Sequence, residues 1–168
     1  MSVRWRVGIA ALWIAVPLLS AAADTTYDFQ VLLDDKPIGE HRFKVGGPAD
    51  ARTVVSDARF TVKVLGLTVY RYAHRAVEHW RGNCLRSLAA STDDDGAASR
   101  VTAEAAGAAL NVETAEGARS IEGCVLSFAY WNPAIRQQTR LLNAQTGRHE
   151  AVQVSRVANG TVDARGQA

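Results

Sequence analysis

The sequence LTVYRYAHRAVEHW occupies residues 67–80. From position 70 to 80 its even positions carry Tyr, Tyr, His, Ala, Glu and Trp, whereas its odd positions from 71 carry Arg, Ala, Arg, Val and His. Because successive side chains of a β-strand point to opposite faces, this alternation predicts one long strand whose aromatic face looks inward. Gly66 before the run and Gly82-Asn83 after it predict the turns that bound this strand.

Similar extended runs lie on both sides of this strand. Short strands separated by turn residues at spacings of about 8 to 12 predict an all-β, antiparallel meander. So long a sheet must curl or close to protect its edges, so we expect a curved sheet, half-barrel or barrel. At most one short helical turn is expected, near 127–136, with 127–131 as its candidate. The other predicted strands are 27–33, 38–45, 60–64, 84–91, 100–104, 109–113, 119–122, 139–143, 150–157 and 161–164.

The first 23 residues have the layout of a secretory signal peptide. Arg4 and Arg6 precede an uncharged run, 7–19, and alanines at 21–23 provide a small-residue cleavage site after Ala23. An uncleaved membrane anchor is the alternative, but Pro17 and the alanines favour cleavage. We therefore expect an exported protein with a single β-rich domain at 24–168 and no membrane span after cleavage.

The charge of that domain excludes one class of partner. The chain has 19 basic and 17 acidic residues, and two of the basic ones, Arg4 and Arg6, precede the first acid, Asp24. The domain is therefore neutral. Nucleic-acid binding depends on clustered Lys and Arg, so we expect no nucleic-acid partner.

Cys84 and Cys124 are the only two cysteines of the chain. In an oxidising compartment a sole pair is more often a disulfide than a metal or redox site. Each cysteine also lies beside a turn signal, Gly82-Asn83 or Gly123. We predict a Cys84–Cys124 disulfide, and the alternative is a pair of buried free thiols.

His74 and Glu78 are polar groups on the otherwise apolar face of the long strand. A buried carboxylate needs a partner or has its pKa raised. The two residues could anchor a ligand or act as an acid–base pair, or they could form a structural ion pair on a half-buried face. Four positions along a strand span about 13 Å, which is too far for direct contact in an ideal strand.

Tyr130, Trp131 and Asn132 precede Pro133 in the densest aromatic cluster of the chain. A Tyr-Trp pair at such a turn could form a lid over a cavity, or it could plug the end of a filled sheet. The histidines have no metal-site spacing, and no serine has a Gly-x-Ser-x-Gly context. The sequence therefore assigns no metal ligand, cofactor or catalytic residue.

Several short motifs together resemble a known family. The chain is similar to a family of bacterial exported proteins catalogued as domain of unknown function 6134, and the resemblance implies a periplasmic β-rich protein of a Gram-negative bacterium. It supplies no catalytic residues. Similar proteins tend to continue with another hairpin beyond the point matching Ala168, so we expect an unpaired sheet edge if that hairpin is missing. The motifs are 27–31, 37–39, 70–72, 78–80, 92–96, 130–133, 141–143 and 146–147.

The leading hypothesis is a non-enzymatic binding protein that holds an apolar or lipid-like molecule on the inner face of the sheet. Trp131 would gate this site, and His74 or Glu78 would orient the polar end of the ligand. One alternative is an assembly protein that pairs with an envelope protein through a sheet edge. A second is an enzyme that uses His74 and Glu78. The candidate ligand-binding residues are Tyr70, Tyr72, His74, Glu78, Trp80, Tyr130, Trp131 and Asn132, together with Phe29 and Phe60.

Overall fold

The structure of the protein is a computed structural model that describes residues 24–155. The predicted signal peptide, 1–23, and the last predicted strand, 161–164, lie outside the described residues. No helix in the described part is long and apolar enough to cross a membrane.

Eight strands form one antiparallel sheet in which each strand pairs with its neighbours in the chain. The predicted all-β meander is therefore confirmed. Within residues 24–155, β1 and β8 each pair with a single strand, so the sheet is curved and open and does not close into a barrel. Two short strands form a second sheet. The strands are β1 (Thr25–Leu33), β2 (Lys36–Gly46), β3 (Arg52–Val64), β4 (Leu67–Arg81), β5 (Cys84–Asp94), β6 (Ala97–Ala106), β7 (Ala109–Thr114), β8 (Gly117–Glu122), β9 (Arg140–Leu142) and β10 (His149–Ala151).

Three of the four two-residue hairpin turns at one end of the large sheet have positive φ angles at both central residues, as a type I′ turn does. Both central residues of such turns need positive φ angles, because this geometry matches the right-handed twist of the flanking strands. Asp and Gly tolerate that conformation, and they occupy five of the six central positions. The sixth is Leu65. The residues are Asp34 (49°) and Asp35 (60°), Leu65 (51°) and Gly66 (82°), and Asp95 (52°) and Gly96 (92°).

One face of the large sheet is apolar, and residues 124–152, the covering segment, pack against it. The core joins side chains of β2–β7 to those of this segment, with Trp80 and Val112 on the sheet and Leu126 and Leu142 on the segment all buried. Backbone hydrogen bonds fix the segment in place: the Leu85 N–H donates to Val125 O, and the Leu142 N–H to Leu126 O. The even-numbered side chains of β4 point to this covered face, as the alternation predicts.

A single 3-10 helix, Pro133–Gln137, interrupts the covering segment. It lies in the region where one helical turn is predicted but begins at Pro133, so the candidate turn at 127–131 is wrong. The Asn132 side chain caps the helix by accepting from the Ala134 N–H at 3.0 Å. Proline suits the first position because the N–H that it lacks would have no partner there.

The predicted disulfide between Cys84 and Cys124 is confirmed, and it joins residues 40 positions apart. It connects the first residue of β5 to the first residue of the covering segment. The segment is therefore held to the sheet covalently where it begins.

Replacing both cysteines by serine is expected to lower the free energy of unfolding by up to about 4 kcal/mol, because the unfolded chain regains the entropy of a loop of this length. Urea unfolding of the wild type and of the Cys84→Ser, Cys124→Ser variant measures the difference. The reduced wild-type protein is the control and should match the variant. Equal unfolding midpoints for the oxidised and reduced wild type would contradict a stabilising role of the bond.

Candidate functional site

A groove of about 260 Å³ lies between the covered face of the large sheet and the covering segment. It is partly open to solvent. From the sheet, its main lining residues are His41, Ala58, Phe60, Tyr72, His74 and Glu78. From the covering segment, they are Ser127, Phe128, Tyr130 and Gln145.

The register of β2, β3 and β4 explains which side chains meet in the groove. Ala58 pairs with His41 on one side and with His74 on the other, so the three residues form a row across three strands. The small Ala58 side chain leaves space between the two imidazole rings. In the next row on this face, Phe60 pairs with Tyr72, and their rings stack with centroids 4.9 Å apart and an interplanar angle of 7°. Two polar rings therefore adjoin an aromatic wall.

Each of the two imidazoles is fixed by one hydroxyl group. The Nε2 atom of His41 lies 2.7 Å from Ser56 Oγ, and the Nδ1 atom of His74 lies 2.8 Å from Thr92 Oγ1. The second nitrogen of each ring has no hydrogen-bond partner among residues 24–155. These two nitrogens are thus available to a polar group in the groove.

Burial keeps both imidazoles neutral near pH 7. Loss of hydration lowers the pKa of His41 to about 4, with a further lowering by His74 and a smaller opposing effect of Asp57. Loss of hydration also lowers the pKa of His74, again opposed by Asp57. A neutral imidazole donates one hydrogen bond and accepts one, so the pair can bind either kind of polar atom.

Glu78 lies deeper in the groove and is almost completely buried. Burial raises the pKa of this carboxyl group to about 7, although interactions with Ser127 and Trp80 oppose the shift. The Trp80 Nε1–H donates to Glu78 Oε2 at 3.0 Å. The sequence indicates that a buried carboxylate here needs a partner, and the structure supplies Trp80 for that role, with no bond to His74. The two side chains make no hydrogen bond to each other, as their separation of four positions along one strand predicts.

The Ser127 hydroxyl borders the same carboxyl group. Its oxygen is buried and has no hydrogen-bond partner of normal geometry within the described residues. Most buried polar groups in proteins are hydrogen-bonded, and an exception calls for a reason. Ser127 Oγ is thus a third polar atom of the groove lining, buried beside the Glu78 carboxyl group.

Four of the eight residues proposed from sequence as ligand-binding line the groove, namely Tyr72, His74, Glu78 and Tyr130. Tyr72 Oη also donates to Gln145 Oε1 at 3.0 Å, which ties β4 to the covering segment. Tyr130 is half exposed at the rim, where its ring meets those of His41 and Phe43 edge-on.

The structure places the other four outside the groove. Tyr70 donates to Asp94 at the outer end of the sheet. Trp80 and Trp131 pack against each other in the core, with centroids 5.5 Å apart and nearly perpendicular rings. Asn132 caps the 3-10 helix. Phe29, proposed with them from sequence, packs edge-on against Phe43 and does not line the groove.

Three contributors were not found by sequence reasoning: His41, Ser56 and Ser127. His41 lies in a predicted strand, but choosing it requires the register that brings β2, β3 and β4 together. Choosing Ser127 requires knowing how the covering segment folds back over the sheet. Only the alternation of the strand around His41 could have hinted that its ring points inward.

A family model described as Domain of unknown function (DUF6134) matches residues 29–168. The match covers most of the chain. The chain belongs to this family. No curated protein and no solved structure matches it.

The groove of this DUF6134 domain suits an uncharged polar group attached to an apolar body. Neutral imidazoles, a hydroxyl and a carboxyl group that is partly protonated near pH 7 surround its polar part. In the described portion of the chain, no three His, Cys, Asp or Glu side chains lie where they could share a metal ion.

Replacing Glu78 by Gln should stabilise the DUF6134 domain at high pH. The folded state binds the Glu78 proton with a pKa of about 7, against the ordinary pKa of 4.5 for a glutamate side chain, so folding takes up a proton between these values. The free energy of unfolding of the wild type therefore falls as the pH rises through this range. The neutral Gln does not suffer this loss, and the variant should be more stable above pH 7 by up to about 3 kcal/mol.

Urea unfolding of the two proteins between pH 4 and 8 checks this expectation, with the curves converging near the acid end. Glu104→Gln, at an exposed position of β6, is the matched control, and its free energy of unfolding should stay close to that of the wild type at every pH. If the free energies of unfolding of the wild type and Glu78→Gln change with pH in parallel, the raised pKa of Glu78 is contradicted.

Proposed function

We propose that the protein is a non-enzymatic, exported protein that binds a small amphipathic or lipid-like molecule in the groove. The apolar part of the ligand lies against Phe60, Tyr72 and Tyr130. Its polar end lies between His41, His74 and Ser127. The observation that carries the proposal is a partly open groove that combines an aromatic wall with polar atoms that have no partner in the described chain.

The size of the groove limits the ligand. Pockets for drug-sized molecules usually have volumes of about 300–1,000 Å³. A cavity of about 260 Å³ lies just below that range. It would therefore take a short acyl chain, a small aromatic molecule or one end of a longer lipid that continues into solvent or a membrane.

The polar end of the ligand is expected to be uncharged. A carboxylate would meet the buried Glu78, whose ionised form is already disfavoured by loss of hydration. A cation would meet two imidazoles that burial keeps neutral, and it would lose its own hydration on entry. A hydroxyl or carbonyl group has neither cost and can satisfy the partnerless nitrogens.

Export to the periplasm is part of the same proposal. The charge and hydropathy layout of residues 1–23 supports it, as does the Cys84–Cys124 disulfide, since disulfides persist in oxidising compartments and are rare in the cytosol. The alternative of an assembly protein would leave no reason for a groove lined by neutral polar groups, so we favour binding.

Native mass spectrometry of the protein purified from the periplasm under mild conditions is the first test. A bound small molecule at one copy per chain is expected, and organic extraction then identifies it. An empty monomer that also fails to take up added 1-decanol, or a stable complex with another protein, would overturn the proposal.

Filling the groove should weaken the binding of 1-decanol, which serves as the probe. In Ala58→Leu the larger side chain occupies the space between the two imidazoles, and affinity is expected to fall at least about tenfold because the polar end loses its place. Nuclear magnetic resonance of the His41 and His74 rings reports binding directly.

Ala73→Leu is the matched control, because it makes the same change at an exposed position on the other face of β4. It should bind 1-decanol as the wild type does. If Ala58→Leu does not fold, Ser127→Ala removes the hydroxyl beside Glu78 with no added volume and should weaken binding. If a folded Ala58→Leu or Ser127→Ala variant binds 1-decanol with the affinity of the wild type, the ligand does not bind in the groove and the proposal fails.

A further inference from the structure

The end of the β3–β4 hairpin exposes a cluster of apolar side chains. We call Val64, Leu65, Leu67 and Val69 the apolar tip. Leu65 is 98% exposed and Leu67 is 72% exposed, and both valines are 53% exposed. Single exposed apolar side chains are common on protein surfaces, but four on one short hairpin end are not.

Leu65 is also unfavourable for the backbone of its own turn. Its φ angle of 51° lies in the left-handed region that leucine rarely adopts. The two neighbouring turns at this end of the sheet have Asp34 and Asp95 at the matching position. Neither local conformation nor contact with water therefore favours leucine here, which points to a contact outside the chain.

The apolar tip stands on a ribbon that no other strand supports. The last pair between β2 and β3 is Gly39 with Phe60, and the last between β4 and β5 is Tyr72 with Asp94. Residues 61–70 therefore form strand pairs only within this hairpin, and at its base the Asp95 N–H donates to Arg71 O. At about 3.4 Å per residue, this ribbon extends roughly 15 Å beyond the last of these pairs.

The charges on the ribbon have one sign. Residues 61–71 include Lys63 and Arg71, both exposed, and no acidic residue. Three acids at the end of β5 and in the turn after it lie at the base of the ribbon, and each accepts a hydrogen bond: Asp93 from the Gly96 N–H, Asp94 from Tyr70 Oη and Asp95 from the Arg71 N–H. Tyr70, also at the base, has the amphipathic ring that is common at membrane–water interfaces.

We propose that the apolar tip docks on an anionic phospholipid surface. The leucine and valine side chains enter the boundary between headgroups and acyl chains, and Lys63 and Arg71 contact lipid phosphates. A stable protein interface buries about 800 Å² on each partner, which is far more than four side chains at the end of a narrow ribbon provide. Shallow insertion into lipid needs no such area. The proposal goes beyond ligand binding in the groove and does not depend on it.

Sedimentation of the purified protein with vesicles tests the proposal. The vesicles consist of equimolar phosphatidylethanolamine and phosphatidylglycerol, with pure phosphatidylcholine vesicles for comparison. The wild type should bind the anionic vesicles more tightly. Leu65→Asn should lower the association constant at least about tenfold, because burial of a leucine side chain is lost.

The same variant separates docking from folding. Asn adopts positive φ angles more readily than Leu does, so Leu65→Asn should unfold at the same temperature as the wild type or at a higher one. It should also keep its affinity for 1-decanol, which distinguishes a failure of docking from a failure of the groove.

Leu32→Asn is the matched control, since Leu32 is 52% exposed near the neighbouring turn formed by Asp34 and Asp35. This variant should bind vesicles as the wild type does. Wild-type vesicle binding by Leu65→Asn, or an equal loss in Leu32→Asn, would overturn the proposal. So would a wild-type protein that stays in the supernatant with every vesicle, a result that would favour a protein partner.

Discussion

An open sheet of eight strands leaves one face to be shielded from water by another part of the chain, because domains of this kind need a second packed layer. In this protein the second layer is the covering segment. Leu126 and Leu142 of that segment pack with Trp80, Leu88 and Val112 of the sheet. The cover is complete over the middle strands and is thinner over Phe60 and Tyr72, which remain half-buried although Tyr72 Oη donates to Gln145 of the covering segment. The groove exists because the second layer is shorter than the first.

Much of the fold follows from the sequence. The alternation from Tyr70 to Trp80 identifies the inward face of β4, and the two cysteines are paired as their number and neighbouring turns indicate. The sequence does not decide between an open curved sheet and a closed barrel, since the number of strands alone does not set the curvature of a sheet. The covering segment was also missed, because its contacts are with distant strands and it has little regular structure of its own.

The candidate site was found in part for the same reason. A residue such as Tyr72 or His74 is recognisable from the pattern of its own strand. His41 and Ser127 join it only through strand register and the return of the covering segment, which involve contacts far apart in sequence. Trp80 and Trp131 illustrate the converse, since large aromatic residues were expected at a ligand and instead fill the core. Local pattern therefore predicts which face a side chain occupies better than which neighbours it meets.

The position of the covering segment along the chain affects how the protein is made. Synthesis proceeds from the N-terminus, so all eight strands precede the layer that shields them. Until Leu126 and Leu142 emerge, the nascent sheet presents its apolar face to every other surface nearby. Cys84 likewise remains a free thiol while 40 further positions are added. Completion of the domain is thus a late event that joins distant parts of the chain, and the unfinished sheet is the form that a chaperone would need to protect.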